Sequence, residues 1–294
     1  MKVTVLVAYL LATFVHLFVT NLTVQADDIY VAGYGNWTLS KIDPNGNRTT
    51  LADYTDGLRY PQGIALGPDG YVYVGDFNKI LKFDPSGNGS VFAESLPGTG
   101  LAFDRFGSLF VANANGFTIE KLDANGGRFV FADSSDGLQF PQALAFDANG
   151  NLYVANGNNS IIKFDAGGNG SVFAASGLDH PQALAFDRGG SLFAANFSNN
   201  TIQKFDPNGN RSVFANSGLN GPAGLAFDNI GNLFVANYFD GTILKFDAAG
   251  HGSIFTSGLF NPMGIAIPEP TTGALLGLWL GLVLIRQVRR CPQH

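Results

Sequence analysis

Short apolar runs separated by polar turns recur from near the start of the chain almost to its end. In the stretch Pro141–Asp165, the runs Ala143–Phe146 and Asn151–Ala155 are too short for helices and rich in aromatic and branched residues. An Asp147-x-x-Gly150 turn separates them, so they predict two antiparallel strands. Ile161–Asp165 predicts a third strand, and Ser171–Ala174 a fourth after the turn Ala166–Gly170. The second-strand motif starts at Ile29, Val72, Leu109, Leu152, Leu192 and Leu233, at intervals of 43, 37, 43, 40 and 41 residues. One four-stranded sheet per repeat cannot bury both its faces alone, and repeats of about 40 to 45 residues are the period of radially stacked blades. The pattern predicts an all-β, six-bladed β-propeller of four-stranded antiparallel blades. The first-strand motif appears at Ile64, Leu101, Leu144, Leu184, Leu225 and Ile265, so its first copy follows the second-strand motif at Ile29. The chain therefore begins mid-blade. Closure is expected from the last inner strand, Gly264–Ile267, joining three N-terminal strands near residues 29, 39 and 50.

In such a ring the turns between first and second strands and between third and fourth strands share one rim. There the copies are uniform: Lys41-Ile42-Asp43, Lys82-Phe83-Asp84, Lys121-Leu122-Asp123, Lys163-Phe164-Asp165, Lys204-Phe205-Asp206 and Lys245-Phe246-Asp247. A short Asp that opens a turn accepts backbone N–H bonds, and Pro and Gly supply the turn dihedrals, so these residues serve the blade. The lysines are expected in a solvated row on the strand's outward face. The opposite rim is diverse in length and sequence, which is where repeat proteins place a binding face. Its loops set Asn amides beside the rings of Trp37, Tyr34, Phe77, Phe197, Tyr238 and Phe239. Flat apolar sugar faces stack on rings while their hydroxyls need amide donors and acceptors, so these six are candidate ligand residues. The bland alternative is that the rings cover blade junctions. At the starts of the inner strands, Gln62, Gln142 and Gln182 are expected at the channel mouth with one imidazole, His180. No carboxylate lies at those starts and glutamine does not titrate, so no catalytic residue and no metal ligand set is assigned.

The chain has 294 residues, 46% of them hydrophobic and 14% charged, with 38 Gly and 26 Phe, which suits one glycine-punctuated, aromatic-cored domain. Between Asp27 and Ile267 there are 13 basic and 22 acidic residues, or −9, a surface that repels phosphate backbones and excludes nucleic acid as a partner. Residues 1–26, with Lys2 before a long apolar run and small residues at its end, read as a secretory signal peptide with a signal helix. The single cysteine, Cys291, lies in the far tail, so no internal disulfide is available and packing must hold the ring.

The run Phe140–Asp147 followed by Gly150–Asn156 and Ile162–Asp165 resembles the NHL repeat and, more loosely, the gluconolactonase-like propellers. The similarity covers residues 27–267. It implies a propeller used as a ligand platform, a scaffold or an enzyme. Lactonases of the related group hold a divalent metal with a Glu, an Asp and Asn residues at the channel mouth, and no matching Glu stands at the inner-strand starts here. The end of the chain, residues 268–294, resembles the PEP-CTERM sorting signal of bacteria: Pro268-Glu269-Pro270, an apolar run Gly273–Ile285 expected as a transmembrane helix, then Arg286, Arg289 and Arg290. That resemblance implies a sorting protease of the exosortase type as partner. It also implies transient anchoring by the C-terminal segment, then delivery to the cell surface, outer envelope or extracellular matrix. The expected function is an exported, exopolysaccharide-associated binding or scaffold module with no cofactor, whose partner is a polysaccharide or an envelope protein. The alternative is a metal-dependent hydrolase of the gluconolactonase type, the only reading that calls for a divalent metal.

Overall fold

The computed structural model describes residues 28–268. The expected signal helix in residues 1–26 and the expected transmembrane helix within residues 269–294 lie outside them. Among the described residues no helix is long and apolar enough to cross a membrane.

Six four-stranded sheets make up the ring, each a run of antiparallel hairpins. Inner strands Ile64–Leu66, Gly100–Phe103, Pro141–Phe146, Pro181–Phe186 and Pro222–Phe227 open blades two to six. Blade one is composite: Pro262–Ala266 is its inner strand, beside Ile29–Gly33, Thr38–Ile42 and Arg48–Ala52. Tyr30 pairs with Ala266, Val31 with Ile265 and Gly33 with Pro262. The closing strand thus starts two residues earlier than the sequence motif suggested, because Pro262 already stands opposite the end of its neighbour.

Burial follows from the pleat and the stacking. The second strand of every blade is buried on both sides, whereas the outer strands are exposed over their first three residues and covered only towards their ends. Each second-strand ring also ties its blade to the next. Tyr153 meets Phe173 of its own outer strand and Phe186 of the following inner strand, both at 5.0 Å and edge-on. Phe193 repeats this with Phe214 and Phe227 at 5.0 Å. Near the axis the inner strands approach so closely that a Cβ on Gly100 would stand 2.6 Å from the Gln142 carbonyl oxygen.

The third-strand lysines are not the solvated row that the pattern suggested. Lys121, Lys163, Lys204 and Lys245 lie half-buried over the second-strand rings of Phe110, Tyr153, Phe193 and Phe234, at 5.0 to 5.3 Å from the ring centres. Adjacent strands carry the pair in direct register, so the ammonium settles on the ring face. The turn aspartates behave as the sequence implied. Asp206 Oδ1 accepts the N–H groups of Asn208 and Asn210 at 2.9 and 2.8 Å, and its Oδ2 accepts from Asn210 Nδ2 at 2.8 Å. Those donors hold the Asp206 carboxyl below the ordinary carboxylate range, the Asn210 side chain contributing most.

Candidate functional site

The diverse rim is built from two kinds of segment, the loops after the second strands and the connectors leading to the inner strands. Buried side chains hold them together. Asn196, wholly buried at the end of its strand, accepts the Asp179 N–H at 3.1 Å and donates through Nδ2 to the Gly177 carbonyl at 2.9 Å. Asn156 does the same for Gln139 N–H and the Gly137 carbonyl, and Asn237 for Asn220 N–H and the Gly218 carbonyl. One amide thus satisfies a backbone donor and acceptor that turn away from the ladder. Replacing Asn196 with Ala is expected to lower stability by about 2 kcal/mol or more, since both groups lose their partner. The urea midpoint reads this directly.

Blade two has Asp76 at this position. It is 3% exposed, accepts the Arg59 N–H at 2.8 and 2.9 Å, and has no amide donor to offer the connector. Burial pushes its pKa up to about 6, against the opposing pull of the Arg59 and Phe77 backbone bonds and of the Lys79 and Arg59 charges.

Backbone rungs then seat the ring-bearing loops on the connectors. Tyr34 N–H donates to the Asn261 carbonyl at 3.1 Å, Phe77 to Arg59 at 3.2 Å, Phe197 to His180 at 3.2 Å and Tyr238 to Gly221 at 2.9 Å. The rings so placed touch in sequence around the rim. Phe77 lies 5.9 Å from Tyr60, which meets Trp37 at 5.3 Å and Tyr34 at 5.4 Å. Tyr34 reaches Tyr238 at 6.2 Å, and Phe197 lies 5.7 Å from Tyr238, 5.3 Å from Phe239 and 5.8 Å from His180. All six aromatic candidates and His180 therefore belong to one arc over blades five, six, one and two. Its outer members remain open to solvent, Phe77 at 69% and Phe239 at 60%.

Two members of the site escaped the sequence reading. Tyr60 (39% exposed) joins the Trp37 side of the arc to Phe77, and the Arg59 guanidinium lies 5.5 Å over the Trp37 ring. The signal was in the alignment of connectors, where Tyr60-Pro61-Gln62 matches Phe140-Pro141-Gln142 and His180-Pro181-Gln182. In each copy the residue before proline has a positive φ: 58° at Tyr60, 48° at Phe140 and 53° at His180. Trp37 at 57° and Phe117 at 55° share this left-handed conformation, which bulky residues adopt rarely and at a cost.

Gln62, Gln142 and Gln182 do line the mouth of the central channel, with Thr99, Ala223 and Met263 at the matching positions of the other blades. The channel encloses about 480 Å³ of space, counting its open ends. Gln182 Nε2 stands 3.0 Å from His180 Nε2, which joins the arc to the channel. This set offers amides, a hydroxyl and a thioether, with the His180 imidazole beside them. Among the described residues no three His, Cys, Asp or Glu side chains are grouped to hold a metal, and the lining of the mouth contains no Glu, Asp or Asn.

No protein-family model matches the chain, and no curated protein matches it. Solved structures do. A streptogramin B lyase superposes with a TM-score of 0.61 at 14% identity, over 81% of this chain and 91% of that one. A catalytically inactive virginiamycin B lyase from Staphylococcus aureus, solved with quinupristin, gives 0.62 at 14% identity over 84% and 94%. A protein of unknown function from Bacteroides caccae gives 0.64 at 14% identity over 84% of this chain and all of that one. The likeness is one of fold. At that identity the propeller is shared and the chemistry must be argued from the residues of this rim.

Proposed function

We propose that this chain is an exported binding or scaffold propeller whose aromatic rim takes a glycan, in the setting of the cell surface or an exopolysaccharide matrix. The observation that carries the reading is the unbroken arc of rings, partly exposed, with glutamine amides at its centre. Rings give a sugar face its apolar contact, and amides answer hydroxyls without asking them to ionise.

The ends of the ring fit the same reading. The closing strand runs from Pro262 at the diverse rim to Ala266, so Pro268 leaves at the uniform rim, and Asp28 enters there too. A propeller attached through the NHL-like domain's C-terminal tail, with Pro268-Glu269-Pro270 read by an exosortase-type protease, would hold its aromatic rim away from the point of attachment. An envelope protein is the other partner class that such a rim fits, since exposed rings also anchor protein interfaces.

The test is retardation in native gels cast with soluble polysaccharides. Retention is expected for the wild-type protein, and Trp37→Ala or Tyr238→Ala should each weaken it about tenfold, as removal of a central aromatic anchor does. Retention by no polysaccharide, or retention indifferent to both substitutions, would overturn the reading.

A further inference from the structure

Phe117 and Phe140 stand on the same rim but outside the arc, at the junction of blades three and four. Their ring centres are 4.6 Å apart at 72°, and Phe140 is 53% exposed. They occupy the two backbone positions that Trp37 and Tyr60 occupy at the junction of blades one and two, all four with positive φ. The remaining junctions show what the fold itself needs there. Asn200 (φ 56°) and Gly221 (φ 63°) fill these positions after blade five, and Gly241 (φ 64°) and Asn261 (φ 47°) after blade six. The small residues also do more for the turn: Asn200 Oδ1 accepts the Gly221 N–H at 2.7 Å, and Asn159 Oδ1 accepts the His180 N–H at 2.7 Å. Asn and Gly enter the left-handed region easily, so a pair of a half-buried Phe117 and an exposed Phe140 there adds strain and gives up that hydrogen bond. Strain of this kind, at a loop the fold can close more cheaply, marks a position kept for contact with a ligand.

We propose that Phe117 and Phe140 form a second glycan-contacting station, and that the ligand is an uncharged glycan chain long enough to reach both stations across the channel mouth. This rests on the glycan reading of the arc. Gln62 and Gln142, each two residues beyond the ring of its station, line the mouth between them and supply neutral donors and acceptors. The charge of −9 over residues 27–267 disfavours a polyanion, and the stretch between the two stations at the mouth carries amides where a uronate chain would need cations.

The experiment uses the full-length protein and a panel of neutral polysaccharides: a β-glucan, a mannan, a galactan and a xylan. A long and a disaccharide fragment of whichever is retained are then titrated against the wild type and against Phe117→Asn and Phe140→Asn, which copy residues the other junctions already use. Affinity for the disaccharide is expected to hold, affinity for the long fragment to fall about tenfold or more, and melting temperature to stay level or rise. Unchanged long-chain affinity in both variants would overturn the second station while leaving the arc standing. So would a fall in melting temperature with binding intact, which would mark the pair as structural. Retention of none of the four polysaccharides by the wild type would remove the glycan reading and this inference together.

Discussion

A chain ended after Asn261 is expected to lose the closed ring, whereas one ended after Pro268 keeps wild-type stability. The strand Pro262–Ala266 is the inner wall of blade one and, among the described residues, the strand that pairs with Ile29–Gly33 on that side. Ile265 is 7% exposed and packs with Ile29, Val31, Phe234 and Ile243, so it joins blade one to blade six. Losing its burial alone costs about 2 to 3 kcal/mol. Unpaired backbone groups along Ile29–Gly33 and the uncovered flank of blade six add to that, against a total stability of about 5 to 15 kcal/mol for a domain. A milder probe, Ile265→Asp, keeps the backbone and places an unpaired carboxylate in the junction, with an expected loss of about 4 kcal/mol or more. Near-ultraviolet circular dichroism and urea midpoints read both. A wild-type midpoint in the chain ended after Asn261 would show that five and three-quarter blades close without the last strand.

The second large effect is a gain. Asp76→Asn is expected to stabilise the protein at neutral pH by about 2 kcal/mol and to remove a step from its pH dependence. Asn156, Asn196 and Asn237 reach a glycine carbonyl nineteen residues earlier, and Gly57 is the residue at that offset from Asp76. An amide at residue 76 would supply the missing donor and carry no charge into a buried place. The direction with pH follows from the raised pKa. In the unfolded chain Asp76 ionises near 3.8, while in the folded protein it holds its proton to about 6. Its contribution to stability is therefore full below the unfolded value, declines as pH rises through the window between the two, and stays low above about 6. Urea midpoints measured from pH 4 to pH 7 should fall more steeply for the wild type than for Asp76→Asn. Parallel curves would place the origin of any pH dependence elsewhere.

Much of the ring was legible because its information is local and repeated. The turn aspartates announce themselves by Asp-x-x-Gly spacing, and the structure shows Asp147 and Asp206 accepting the N–H groups that the spacing implies. The rings of Trp37, Tyr34 and Tyr238 were singled out from loop diversity. Their membership of one surface was beyond such reasoning, since Tyr34 and Tyr238 come from blades distant in sequence and adjacent only after closure. The lysines show the limit from the other side. Their period was plain, yet whether they faced water or a ring depended on cross-strand register, which sets Lys163 opposite Tyr153 and Lys204 opposite Phe193.

The sequence by itself determined the blade number, the four-strand unit, the composite first blade and the rim that carries variation, because strand period, turn chemistry and apolar alternation are encoded residue by residue. Tertiary structure alone decided that eight rings form one arc, that Phe117 and Phe140 stand apart from it on strained backbone, and that Asp76 is buried at the position where Asn156, Asn196 and Asn237 are buried in three other blades. Those properties arise from contacts between segments that meet only when the ring closes, and from backbone angles that the neighbouring segments impose.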